Sequence, residues 1–314
     1  MQQMNHVHGD MQKIDAGPLS LRQLDVFVAV IDEGGFSAAA DHLGMSQSAV
    51  SHALAALERA FGAPLIVRTP PIAATALGDA ILPHARSVLA SVRALRATVD
   101  VQREGLAKGM VRLAAAPTAS HRLVPGLLNR WRAELPGLDI RLFEGSDDEL
   151  EVWLASGAVD AAVLIDPDPI PPGSIVLARD DFRAVVRSDH PLADMKGISL
   201  AELLEDPLLA SSSGCEPQIT AIHAKAGIPY APAQRVHETS TLLGMVDAGL
   251  GVAILPSLAC SMLANTLVMI ELEPRVERSL VFAGPSGRPW HPGVKKMRDI
   301  AEISSKNGHI EDIR

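Results

Sequence analysis

The stretch FSAAADHLGMSQSAVSHALAALERAF, from Phe36 to Phe61, decides how the whole chain is read. It has the pattern of two short helices joined by a tight turn. Ser37 is placed to open the first, its hydroxyl accepting from backbone N–H groups left free at a helix start. Gly44 ends that helix, because glycine takes a positive φ without steric cost. Ser46 then caps a second, longer helix. Ala40 is small where two crossing helices approach, and Val50 is β-branched where the second helix folds back on the first. Val50, Leu54, Leu57 and Phe61 recur at steps of four, three and four, so they share one face. Gln47, Ser48, Ser51 and His52 gather on another face near the helix N-terminus. A surface helix turned to water would show such a polar side. The same short hydrogen-bonding groups also suit a helix that reaches base edges in a DNA major groove.

The flanks narrow the choice. Ser20 and Gln23, three residues apart, make a capping box, and the helix they open carries Leu24, Phe27, Val28 and Ile31 at helical spacing. This gives a three-helix core. Leu65 to Arg68, followed by the Pro70-Pro71 turn up to Thr75, reads as a small β-wing. Arg68 is the cation of that wing. It is read either as a phosphate contact or as a solvated surface arginine.

With LRQLDVFVAV before it and APLIVR and TALG after it, the segment from Leu21 to about Gly78 resembles the DNA-binding domain of LysR-type transcriptional regulators, without a gap. The resemblance implies an all-α winged helix-turn-helix domain. It implies base contacts by Gln47, Ser48, Ser51 and His52, with Ser37, Ser46 and Arg68 on phosphates. Where the family commonly carries basic residues in the second half of the recognition helix, this chain holds Ala53, Ala55 and Ala56.

Length and composition agree with such a protein. At 314 residues, 47% hydrophobic and 21% charged, the chain suits two or three folded domains. Cys215 and Cys260 do not make a disulfide framework, so a reducing, cytoplasmic setting is expected. No basic segment followed by an apolar one opens the chain, so no signal peptide is expected. Ala248 to Ile270 lacks charge and is long enough to span a bilayer, but Gly249, Gly251, Pro256, Ser257, Ser261 and Asn265 interrupt it. A buried strand, a helix and a second strand are expected there.

The net charge of −9 is unusual for a DNA binder. Between 21 and 75, Arg22, Arg59 and Arg68 face Asp25, Asp32, Glu33, Asp41 and Glu58, a net of −2, while residues 76–108 carry +2. Phosphate neutralisation per chain is therefore modest, and affinity should lean on dimerisation and direct contacts.

Residues 1–19 read as a flexible tail, with His6 and His8 too isolated for a metal site. The DNA-binding domain spans 20–75. From Thr75 to about Arg103 the pattern becomes one long helix, and residues 76–108 form a linker and dimerisation region ending in a hinge between Gly105 and Gly109. Ile81, Ala85, Val88, Val92, Leu95 and Val99 alternate steps of four and three, the repeat of a coiled-coil seam. The stripe packs either on its own core or on a second copy, and a homodimer would present two recognition helices to a two-fold site.

Beyond Gly109 strands and helices alternate. VRLAAAP, DIRLFEG and DAAVLID read as strands, separated by helices around Leu123–Leu135 and Glu149–Ser156. After the break at Pro167–Pro172 come FRAVVRS, PLLASSS, AQRVHET and GVAILP, then a last helix at about His291–Ser305. Two such sets predict parallel α/β sheets in two lobes, lobe I at about 109–180 and 281–314, lobe II at about 181–280. Residues 109–314 resemble the family's effector-binding domain, built like a two-lobed periplasmic solute-binding protein.

Ligands in open α/β sheets lie at strand carboxyl ends, against helix N-termini. Pro117-Thr118-Ala119-Ser120, Ser211-Ser212-Ser213-Gly214 and Thr239-Ser240-Thr241 fit that place. Thr118, Ser120, Ser212, Ser213, Thr239 and Ser240 are read as hydroxyl donors to a carboxylate, or as plain helix caps. Ser146-Asp147-Asp148 is acidic and would disfavour a heavily charged anion if it faced the same cleft. Cys215 opens a helix, which lowers a thiol pKa, and the family includes peroxide sensors with a cysteine in this neighbourhood. A nearby resolving cysteine is absent, so Cys215 is read alternatively as an effector-binding residue lining the cleft or as an ordinary buried cysteine.

No GxSxG, no GxxxxGK followed by Ser or Thr and no HExxH is present, and Gly249-Leu250-Gly251 leads into a strand instead of following one. Neither catalytic residues nor a cofactor nor a metal is expected. The expectation is a ligand-responsive regulator that binds promoter DNA as a homodimer or homotetramer and senses a small metabolite, which the resemblance implies to be an organic acid. Two alternatives stand beside it: a redox sensor of the same fold using Cys215, and a small-molecule binding protein without a DNA role.

Overall fold

The computed structural model describes residues 19–212 and 214–306. The tail with His6 and His8, and Ser213, lie outside the described residues. The chain divides into two compact units, Met1–Leu89 and Ala90–Arg314.

In the first unit, helix α1 (Leu21–Asp32) opens on the expected box: Ser20 N donates to Gln23 Oε1 at 2.9 Å and Gln23 N to Ser20 Oγ at 3.2 Å. It buries Leu24, Val26, Phe27 and Val28, whereas Ile31 is only partly covered. Helix α2 (Phe36–Leu43) departs from expectation. It begins at Phe36 behind Gly35, without a side-chain cap, and Ser37 lies exposed in its first turn. The backbone makes this entry, through Gly34 at φ 69° and the bond from Ala39 N to Gly35 O. Gly44 closes α2 at φ 62°. Ser46 Oγ accepts from Ala49 N at 3.2 Å and caps helix α3 (Gln47–Phe61).

Val50, Leu54 and Leu57 are completely buried with Ala40 against α1 and α2. Each contributes roughly 1.5–3 kcal/mol of burial free energy. Phe61, expected on the same face, is 38% exposed, since Gly62 at φ 73° turns the chain away there. Strands β1 (Ile66–Val67) and β2 (Ala73–Ala74) pair antiparallel as the wing.

Thr75 joins the wing to the long helix α4 (Ala76–Glu104). Its hydroxyl donates to Pro64 O at 2.8 Å and accepts from Gly78 N at 3.1 Å. Gly78 lies so close to the wing that a Cβ there would stand 2.1 Å from Leu65 O. Of the predicted seam, Ile81 and Ala85 join the core of the first unit. Val88, Leu95 and Val99 remain 43%, 66% and 45% exposed.

The second unit runs β3 (Gly109–Ala115), α5 (Pro117–Arg122), α6 (Val124–Glu134), β4 (Leu138–Glu144), α7 (Asp147–Ser156), β5 (Ala161–Ile165) and β6 (Ile175–Arg187). It continues with β7 (Gly197–Ser199), α8 (Leu200–Leu203), β8 (Leu208–Ser211), α9 (Glu216–Ala226), β9 (Gln234–Val236), α10 (Thr239–Asp247) and β10 (Val252–Pro256). A 3-10 helix over Ser257–Met262, β11 (Leu267–Glu273), β12 (Glu277–Ala283) and α11 (Pro292–Lys306) complete it. The uncharged run from Ala248 thus folds as strand, 3-10 helix and strand. Among the described residues no helix is long and apolar enough to cross a membrane.

The sheets are mixed, not purely parallel as expected. In the first lobe β4, β3 and β5 are parallel, and β12 pairs antiparallel with β5 and β6. In the second, β10, β8 and β9 are parallel, while β10 and β11 pair antiparallel with β6. Strand β6 serves both lobes: its residues up to Asp181 pair with β12, and those from Phe182 onward with β10 and β11. Helix α11 packs on the first lobe through Val294, Met297 and Ala301, and Trp131 Nε1 donates to Met297 O at 2.9 Å.

Candidate functional site

The candidate residues fall on two surfaces, one in each unit. On α3, Gln47, Ser48 and His52 are exposed and Ser51 half-exposed, beside the capping Ser46. Ser48 Oγ lies 3.0 Å from Ser46 Oγ. Arg68 in the wing is tethered: its Nη2 donates to Glu58 Oε2 at 2.8 Å, and its guanidinium lies 5.8 Å from the Phe36 ring centroid. Glu58 Oε1 also accepts from Leu65 N at 2.9 Å, tying wing to recognition helix. The pair is largely exposed on the arginine side, so its stabilising contribution is small.

The second surface centres on Arg278, which the sequence did not single out. It stands in β12 with its side chain 1% exposed. Asp180 in the adjoining β6 holds it twice, through Nε to Oδ1 at 2.7 Å and Nη2 to Oδ2 at 3.2 Å. Asp180 Oδ2 further accepts from Leu258 N at 3.1 Å. A buried pair costs several kcal/mol to desolvate and persists when its remaining hydrogen bonds are filled in this way. The guanidinium also lies 5.7 Å from the Phe182 ring centroid.

Arg278 gathers residues from both lobes. Nη2 donates to Thr118 Oγ1 at 3.1 Å, at the start of α5 in the first lobe. Nη1 faces Cys215 Sγ at 3.9 Å, before α9 in the second. Asp147, at the first residue of α7, comes against Gly214 of the facing lobe: a Cβ on Gly214 would lie 2.7 Å from Asp147 Cγ. Gly214 holds φ 116°, a conformation glycine tolerates, so both space and backbone call for it. A second cross-lobe contact is made by Gln218, whose Nε2 donates to Asp166 Oδ2 at 3.1 Å, while within the first lobe Ser279 N donates to Asp166 Oδ1 at 2.6 Å.

Burial pushes the Asp147 carboxyl up to about 6; Arg278 opposes the rise, and Asp148, Asp166 and Glu151 add to it. Burial likewise pushes the Cys215 thiol up to about 11, against the pull of Arg278. This reverses the expectation of a lowered thiol pKa at a helix start, because desolvation outweighs the helix end. Cys215 and Cys260 are both free.

The other hydroxyls divide. Ser120 is buried, and its Oγ finds no partner among the described residues. Ser212 Oγ turns to Val236 O at 3.4 Å, and Ser211 Oγ to His237 O at 3.0 Å. Thr239 is buried and Ser240 exposed at the start of α10, and among the described residues no hydrogen bond joins either to the Arg278 cluster. Thr118, Cys215 and Asp147 therefore converge. Arg278 stands just before the apolar run Leu280–Ala283 and close behind Arg275 and Glu277, so its sequence neighbourhood gave no sign of burial.

Fold and site define a helix-turn-helix regulator with a ligand-binding domain behind it. Residues 21–79 match the family described as bacterial regulatory helix-turn-helix protein, lysR family, and residues 104–303 match the LysR substrate binding domain. The chain belongs to the LysR family of transcriptional regulators. It is similar to YvbU of Bacillus subtilis, an uncharacterised HTH-type transcriptional regulator, at 32% identity over 90% of this chain and 98% of that one. A probable hydrogen peroxide-inducible genes activator of Mycobacterium leprae is 34% identical over 91% and 95%. The structure of full-length CbnR with its target DNA superposes with a TM-score of 0.64 at 23% identity, over 91% of this chain and 100% of that one.

Proposed function

We propose that this regulator senses a small organic acid held between the two lobes of its carboxy-terminal domain and works on promoter DNA in the cytoplasm. Gln47, Ser48, Ser51 and His52 read base edges, while Ser37, Ser46 and Arg68 set the register on phosphates. The exposed Val88, Leu95 and Val99 stripe of α4 pairs two chains, and dimers associate further into a four-subunit assembly. Ligand binding shifts the lobes, alters how dimers pack, and so changes DNA bending.

The observation that carries the ligand reading is the buried Arg278, satisfied along one edge by Asp180 and presenting its other edge to Thr118 and Cys215. A guanidinium held in a desolvated cleft is suited to carboxylate recognition. Cys215 lines that cleft as a protonated thiol, a poor nucleophile toward peroxide. The test is calorimetry of the full chain against a panel of small mono- and dicarboxylates. Thr118→Val should weaken binding of the responding acid roughly fivefold or more while leaving DNA affinity unchanged. Equal loss of both would overturn the assignment, as would a Thr118→Val variant that binds the acid normally.

A further inference from the structure

We infer that the ligand carries an ammonium group beside its carboxylate, as an α-amino acid does, with Arg278 taking the acid end and Asp147 the amine. This rests on the cleft reading above and narrows its ligand class. Asp147 is brought against the facing lobe, where a Cβ on Gly214 would lie 2.8 and 2.9 Å from its two carboxyl oxygens. Among the described residues no hydrogen-bond donor reaches that carboxyl. Arg278 has Nε and Nη2 engaged by Asp180 and Thr118, and Nη1 turned to the Cys215 sulfur at 3.9 Å, a weak acceptor. The lobe boundary thus offers a cation whose Nη1 makes only a weak contact and, among the described residues, an acid that lacks a donor.

A plain carboxylate would satisfy the first and set a second negative charge beside Asp147 in a desolvated place. A plain amine would satisfy the second and face the guanidinium. A paired ammonium and carboxylate fills both positions at zero net charge. The carboxyl's rise to about 6 is the behaviour of a desolvated acid without a partner, opposed by Arg278 and reinforced by Asp148, Asp166 and Glu151. Cys215 and Asp180 are the other titratable groups around the guanidinium.

The experiment is calorimetry and thermal shift on the full chain near neutral pH. The ligands are the proteinogenic L-amino acids, each matched with its 2-oxo acid and its decarboxylated amine. At least one amino acid should bind, with its oxo acid and amine roughly tenfold weaker or worse. Asp147→Asn, and Asp147→Ser as a second variant, should close the gap between amino acid and oxo acid. A gap that survives both substitutions overturns the inference, as does an oxo acid that binds as well as its amino counterpart. Should plain carboxylates bind in a Thr118-dependent way while no amino acid does, this inference falls and the organic-acid reading stands. Binding by no carboxylate of any kind overturns both.

Discussion

Asp147 has a consequence for stability as well as for recognition. Its folded pKa of about 6 lies above the ordinary 3.8, so the folded chain holds that proton more tightly than the unfolded one. The ionised form therefore destabilises the fold: the penalty is absent below about pH 4 and complete above about pH 6. Asp147→Asn removes it, and should stabilise the domain by on the order of 1–3 kcal/mol at about pH 7.5 and by little at about pH 4. Paired thermal melts at the two pH values check this. A melting point unchanged or lowered at the higher pH would show the carboxyl to be solvated or already paired. Thr118 and Cys215 were legible beforehand because a residue at a helix start after a strand has few places to point. Arg278 was not, because its charged stretch, with Arg275 and Glu277 beside it, suggests a solvent-facing segment, and here Asp180 meets it inside.

Elements show the same division. Strands β3, β5 and β10 were visible from their apolar runs. Strands β6 and β12 were missed or cut short because Arg179, Asp180, Asp181, Arg183 and Arg278 interrupt the alternation, although several of these charges pair with each other within the sheets. The antiparallel pairing through these two strands is what makes the sheets mixed and carries Asp180 and Arg278 to the lobe boundary. The start of α4 was recognisable as the run TALG, and its physical basis is Thr75 capping the helix while Gly78 abuts Leu65 O. A glycine-to-alanine change in an exposed helix would gain about 1 kcal/mol. Here the clash outweighs it, so Gly78→Ala should cost about 1–3 kcal/mol and detach the wing from α4, weakening DNA binding. Hydrogen exchange of Thr75 and Ile66 amides reads the detachment directly. A variant as stable as the parent would mean that the wing yields without strain.

For the molecule as a whole, the net charge of −9 and the alanines at positions 53, 55 and 56 leave each chain few cations for phosphates. On the proposed reading, specific contacts from α3, doubled by a partner, would then carry the selection of sites. The exposed part of the α4 stripe is where that partner is expected, whereas Ile81 and Ala85 are already committed to the chain's own core, a distinction the heptad spacing could not make. The most direct measurement is a titration of the purified chain against the promoter fragment it occupies in its own genome and against random duplex of equal length. The parent chain should bind as a dimer or tetramer and prefer the promoter, and the double variant Gln47→Ala with Ser51→Ala should bind both duplexes equally while still folding and self-associating. An undiminished promoter preference in the double variant would contradict the assignment of the α3 polar face as the surface that reads sequence.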